Sequence, residues 1–191
     1  DLSTQEVTTY AGGGFLVGVG SVGDLKDGKG VAAKFYTPSG LSIDEDGNLY
    51  VADPFNHRIR KIDTDRNVTT VIGNGATGPN NGGFLDGIAS ASVLNTPTDV
   101  YWSASGHLII GDTFNNRVRL WDISSDSLTT IAGTGTTGYL DGASSIAELN
   151  YPRGIVANAT ADSILVVDHN NHAIRQIILN PISTTIEENL V

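Results

Sequence analysis

The chain has 191 residues, 11 basic and 21 acidic, with a formal net charge of -10 and no cysteine or methionine. The missing cysteines exclude a disulfide framework, a thiolate metal site and a cysteine nucleophile, and the acidic balance argues against nucleic acid, whose phosphates need clustered positive charge. No apolar run approaches the roughly 18 residues of a membrane span, so no membrane insertion is expected; 39% hydrophobic residues with 23 glycines point instead to a core of many short strands.

In chain order, the first apolar element is "VTTYAGG", which predicts an isolated extra strand at about 6–12. The glycine-rich "AGGGFLVGVGSVGD" follows, without the strand, lysine and helix of a phosphate-binding loop, and reads as a connection. "GLSIDEDGNLYVAD" then predicts a strand, a tight turn at Asp46-Gly47-Asn48 and a second strand, because an Asp-Gly pair supplies the positive φ that a hairpin needs. "HRIRKID" alternates basic and apolar residues, which predicts a third strand with Ile59 inward and Arg58 and Arg60 outward. The β-branched "NVTTVIG" completes a four-stranded antiparallel meander.

The same order returns twice, which matters more than any single element. Asp53, Asp112 and Asp168 each end an apolar stretch and are followed by Asn56, Asn115 and Asn171, then by Arg60, Arg119 and Arg175, at constant spacing. Upstream of each group stands a proline, Pro38, Pro97 or Pro152, and further upstream an Asp-Gly pair headed by Asp27, Asp86 or Asp141. The expected architecture is all-β: one domain over 1–191, made of three β-propeller blades at about 36–73, 95–133 and 150–187. The last blade includes a fading copy of the Thr-pair strand in "ISTTIEEN".

"PSGLSI", "DEDGNLYVAD" and "NHRIRKI" in the first unit resemble the NHL repeat, and the Asp-Gly connections resemble its longer-loop variety. The resemblance implies a propeller fold over about 7–187 and leaves function open, because such propellers serve as RNA binders, protein-binding modules, sensors and a lyase. The units are not identical. Asn116 stands where the first has His57, Asp99 where it has Gly40, Asp162 where it has Gly47 and Ala173 where it has Arg58.

Three blades do not close a ring, since propellers have about 4–8. Either the remaining blades lie elsewhere in a longer chain, or copies associate as a closed six-bladed dimer or an open head-to-tail series. The Asp-Asn-Arg groups are expected to brace the corner of each blade: the aspartate accepts from the following turn, the asparagine closes it, and the arginine reaches back to a carboxylate. Asp168, His169 and His172 lie close enough in sequence to suggest metal ligands, and the resemblance to a zinc-binding lyase adds to that, yet no further site is spaced to join them. "DEDGN" opens like a calcium loop but has Phe55 at the twelfth position, where a glutamate is required. The basic run Arg58, Arg60, Lys61 has Asp63 and Asp65 near it, and Arg119 has Asp122, so a charge-paired surface is expected there. No metal, cofactor or catalytic residue is assigned.

Two sequons, at Asn67 and Asn158, are candidates for N-glycans and place the protein outside the cell or at its surface. The long connections would lie together on one face, with Asp27, Asp86 and Asp141 forming an acidic rim for a protein partner or further copies. The expected role is a non-catalytic interaction or structural module. The alternatives are an architectural subunit of an extracellular filament or other assembly, and part of a propeller hydrolase or lyase.

Overall fold

The structure is a computed structural model describing residues 5–13, 24–158 and 162–179. Its elements are three antiparallel sheets in a row. The first comprises β1 (Gly28–Lys29), β2 (Leu41–Ile43), β3 (Leu49–Asp53), β4 (Arg58–Ile62) and β5 (Asn67–Ile72), in the order β1-β5-β4-β3-β2. The second repeats this with β6 (Gly87–Ile88), β7 (Pro97–Trp102), β8 (His107–Asp112), β9 (Arg117–Asp122) and β10 (Ser127–Ala132), in the order β6-β10-β9-β8-β7. The third has β11 (Pro152–Ala157), β12 (Ser163–Asp168) and β13 (Ala173–Ile178). The fourth strand expected for the third blade, in "ISTTIEEN", lies outside the described residues.

The meanders are β-propeller blades, as the sequence predicts, with one addition. Each of the first two connections contributes a two-residue strand, β1 on β5 or β6 on β10, so that the first two blades have five strands rather than four. This short strand covers an outer edge whose free N–H and C=O groups would otherwise invite pairing with another chain. The expected strand at 6–12 is instead a segment outside any named strand. Its end is nevertheless in register with the blades: Gly12 N–H donates to Gly30 and Gly13 N–H to Ala33, just as Gly73 donates to Ala89 and Asn74 to Ser92. It thus occupies the place of the end of a preceding blade's outer strand.

Strands in the interior of the row are apolar on both faces, because the middle blade is sandwiched between the other two. In β8, Leu108 and Ile110 join Tyr50, Ile59, Ile72, Val100 and Trp121 in the core between the first two blades. Ile109, which points the opposite way, joins Val118, Leu149, Ile155, Ile164 and Val166 between the second and third. Tyr50 of the first blade stacks on Trp102 of the second, with centroids 5.3 Å apart, and Trp102 Nε1 donates to Glu45 at 2.9 Å. The expectation that Arg58 and Arg60 point outward is also corrected, since both are buried, Arg60 completely, by the connections: Arg60 donates to the Lys26 and Lys34 carbonyls and Arg58 to that of Gly75.

Candidate functional site

The Asp-Asn-Arg groups form one clamp per blade. Arg60 Nη1 donates to Asp53 Oδ2 at 2.9 Å and to the Lys34 carbonyl at 2.9 Å; its Nη2 reaches Asp27 Oδ1 at 2.6 Å and the Lys26 carbonyl at 3.0 Å. Asp27 accepts in turn from the backbone and hydroxyl of Thr70, both at 3.1 Å. Asn56 Nδ2 bridges Asp53 Oδ2 at 2.8 Å and the Asp24 carbonyl at 3.0 Å.

The second clamp repeats these bonds with Arg119, Asp112, Asp86, Asn115 and Thr130. The third does so with Arg175, Asp168, Asp141 and Asn171. A guanidinium is suited to this place because its planar fork satisfies two carboxylates and two carbonyls at once.

Several expectations change here. The backbone donor to each aspartate comes from upstream, from Tyr36, Asn95 or Asn150, rather than from the following turn. The turn itself is carried by the next residue in line: His57, Asn116 and His172 take the left-handed conformation, with φ of 54°, 50° and 53°. Asp63, Asp65 and Asp122 do not pair with the arginines. Asp63 binds Asn67, and Asp122 accepts from Ser124 and Ser125, which hold its carboxyl down at about 2.

Nor are Asp27, Asp86 and Asp141 a free acidic rim, since each carboxylate is held by the arginine of its own blade. Asp44 of the calcium-like stretch caps its own hairpin, accepting from Asp46, Asn48 and Tyr50. Among the described residues, no three His, Asp or Glu side chains converge as a metal site. Asn67 and Asn158 both point their amides at a nearby carboxylate, Asp63 at 2.8 Å and Asp162 at 2.6 Å.

The residues that sequence reading missed are those joining one blade to the next. Thr96 N–H, in the second blade, donates to His57 Nδ1 at 2.9 Å. The proton of that ring is therefore on Nε2, which donates to the Gly78 carbonyl at 2.7 Å. Asn116 does the same work at the following junction: its Oδ1 accepts from Tyr151 N–H at 3.0 Å, and its Nδ2 donates to Gly135 and Thr137. The His-to-Asn exchange between units thus keeps one acceptor and one donor. Asp99, the other departure, lies against Gly40 of the first blade and accepts from Ile155 N–H of the third at 2.8 Å.

Burial holds the His57 imidazole below its ordinary value, and Arg58 adds to this against the pull of Gly78 and Asp53. In the unfolded chain the ring titrates near pH 6.5. As pH falls through that value the unfolded state takes up its proton first, so the stability from this junction is full above about pH 6.5 and is lost below it. Replacing His57 with asparagine is expected to leave stability near pH 7.5 within about 1 kcal/mol and to flatten its decline between pH 7 and 5. Alanine is expected to cost about 1–3 kcal/mol. Urea midpoints across that pH range measure both effects.

Comparison with known proteins agrees with this geometry. The NHL repeat model matches residues 35–62 and 149–177. "NHL repeat-containing protein 2" of Bos taurus is 29% identical over 155 residues, covering 77% of this chain and 21% of the bovine protein. The chain therefore spans about a fifth of that relative's length. "Probable peptidyl-alpha-hydroxyglycine alpha-amidating lyase pgal-1" of Caenorhabditis elegans is 29% identical over 103 residues, covering 52% of this chain and 27% of the worm protein. A Bacteroides thetaiotaomicron structural genomics protein of unknown function superposes with a TM-score of 0.67 at 22% identity, over 76% of this chain and 36% of that one.

Proposed function

We propose that this chain, which belongs to the NHL-repeat family and is built of β-propeller blades, is a non-catalytic interaction and structural module that works outside the cell or at its surface. One observation carries the interaction reading: the connections that wrap the blades leave large apolar side chains in solvent. Phe84, Leu85 and Ile88 are exposed on one connection, and Tyr139, Leu140 and Ile146 on the next, with Tyr139 at 65%. Apolar groups displayed beside rigid sheets are what a protein partner buries. Phe84 and Tyr139 are also fixed in place, lying over Arg119 and Arg175 with the guanidinium carbon 4.8 and 5.0 Å from the ring centre. Preordered rings lose little conformational entropy on binding.

A photo-crosslinking residue at Phe84 or Tyr139, introduced into the natural protein in its own cells, is expected to capture a discrete partner. The same residue at the hairpin tip Ser105 is expected to capture none. Equal capture from all three positions refutes the reading. So does zinc-dependent turnover of a peptidyl-α-hydroxyglycine substrate, which would favour the lyase alternative. Support for a location outside the cell comes from the sequons: secreted protein is expected to gain mobility on enzymatic deglycosylation, and less of it when Asn67 is replaced by glutamine. An unchanged band in both experiments refutes that part.

A further inference from the structure

The connections that leave the first and second blades differ in length. Gly73 and Asp86 bound the first, Gly133 and Asp141 the second, which is the shorter. The longer one folds back over Arg58: Gly78 bonds to Phe55 and His57, the Gly75 carbonyl takes a guanidinium N–H, and Arg58 is buried. Its counterpart Arg117 stays partly exposed and lines an open concavity of about 330 Å³, with Phe84, Asp86, Thr134 and Ser145 among the other residues of its wall. This opening belongs to the middle of the row. Arg117 lies on β9, Phe84 and Asp86 on the connection entering that blade, and Ser90, the counterpart of Ser145, is exposed even with a complete blade after it.

Arg117 is held in place without being neutralised. Its Nη1 donates to the Asn115 carbonyl at 3.2 Å and its Nη2 to that of Thr134, and its guanidinium carbon lies 3.9 Å from the centre of the Phe84 ring. Further N–H groups of the fork have no acceptor among the described residues. Asp86 and Asp112, the acids that act on it, both pair with Arg119. Burial and Arg119 disfavour its charged form. The clamp does not need this side chain: in the third blade Ala173 stands in its place, and Arg175 still reaches Asp168 and Asp141. Thr134 Oγ1 accepts from Thr136 N–H, which leaves its own proton to donate beside the guanidinium.

We infer that this concavity receives the carboxylate of an aspartate or glutamate side chain, carried by the protein partner whose apolar groups cover Phe84 and Leu85. Resting on the interaction reading above, the site supplies the polar half of the same contact. A carboxylate matches the planar fork, and its single charge suits a place beside Asp86, on a chain of net charge -10, better than the nearly double charge of a phosphate.

A photo-crosslinking residue at Leu85, in the natural protein in its own cells, tests this while leaving Phe84 on Arg117. Arg117→Gln is expected to lower capture of the partner about tenfold, the worth of one charge-assisted pair. Arg117→Lys is expected to lower it less, since lysine keeps the charge but not the fork. Ser145→Asp, at an exposed position, offers Arg117 a carboxylate from its own chain and is expected to lower capture as far as Arg117→Gln does. The same charge at the hairpin tip, Ser105→Asp, should leave capture unchanged. Mass spectrometry of the captured segment is expected to find an Asp or Glu beside the crosslink, and replacing that acid by its amide is expected to add no loss to that of Arg117→Gln.

Urea midpoints of each variant separate a lost contact from lost folding, and Ser145→Asp carries the test should Arg117→Gln fail to fold. Capture indifferent to both substitutions overturns this inference and leaves the interaction reading standing. Capture abolished by phosphatase overturns it in favour of a phosphorylated partner. Capture from neither Leu85 nor Tyr139 removes the interaction reading itself, and this inference with it.

Discussion

Replacing Arg119 with methionine is expected to lower the unfolding free energy by about 3–5 kcal/mol, the cost of leaving a buried carboxylate without its cation. Arg119 is fully buried, and so is Asp112, which it meets at 2.6 Å. Burial already pushes the Asp112 carboxyl up, against the pull of Arg119, Asn115 and Asn95. Without the guanidinium that carboxyl either takes a proton or keeps an unpaired charge, and both destabilise the fold. The carbonyls of Leu85 and Val93 lose donors as well, so the connection detaches from the blade along with the ion pair.

The three clamps rank by burial. Arg60 is expected to behave like Arg119, softened slightly because its buried Nε has no acceptor, whereas Arg119 Nε donates to Asp86 at 3.0 Å. Arg175 has a side-chain exposure of 10% and its partner Asp141 86%, so water compensates much of the loss there. Urea unfolding of the three methionine variants measures the order. Adding Asp112→Asn to Arg119→Met is expected to recover part of the loss, since it removes the charge that was stranded; no recovery would mean that the carbonyl bonds dominate.

Gly40→Ala is expected to cost about 3 kcal/mol, the upper part of the range for overpacking. A Cβ at Gly40 would stand 2.6 Å from the Cα of Asp99 and 2.9 Å from the Thr98 carbonyl, both backbone atoms of the next blade. Backbone cannot rotate aside as a side chain can. The two blades must therefore part, breaking the bond from Gly40 N–H to Thr98, 2.9 Å long, and unseating the stack of Tyr50 on Trp102. The matched control is Gly154→Ala, at the same position of the third blade, where the nearest atom is a methyl of Val167 at 3.2 Å. That side chain is partly exposed and free to give way, so little change in the melting temperature is expected.

Blade order, hairpin positions and the Asp-Asn-Arg set were legible because each recurs at fixed spacing, and a repeat exposes itself without any knowledge of contacts. What could not be read was which face of a strand is buried. "HRIRKID" alternates like a half-solvated strand, yet the next blade covers the Ile59 face and the entering connection covers the other, so Arg60 is as hidden as Ile59. The partners of the arginines were also misplaced, since the acids nearest in sequence, Asp63, Asp65 and Asp122, lie at or beyond the strand end while Asp27 and Asp86 arrive from a distant connection. The junction residues did leave a trace. His57 and Asn116 differ in size and basicity but share an acceptor beside a donor, and only the geometry shows that this pairing is what the position needs.

The clamps also define what folds with what. Arg119 closes only when residues 85–93 have returned to lie along the second blade, so that connection gains its stability from the blade it enters. Gly78, in contrast, is tied back to Phe55 and His57 of the blade it leaves. The handover falls between Gly78 and Gly83, a boundary that does not coincide with the edge of any sheet. Native-state hydrogen exchange should therefore report cooperative units running from a connection to the end of the next outer strand. Those units, rather than whole sheets, are the portions in which such a chain can be lengthened, shortened or recombined, because a break there leaves every guanidinium with both of its carboxylates.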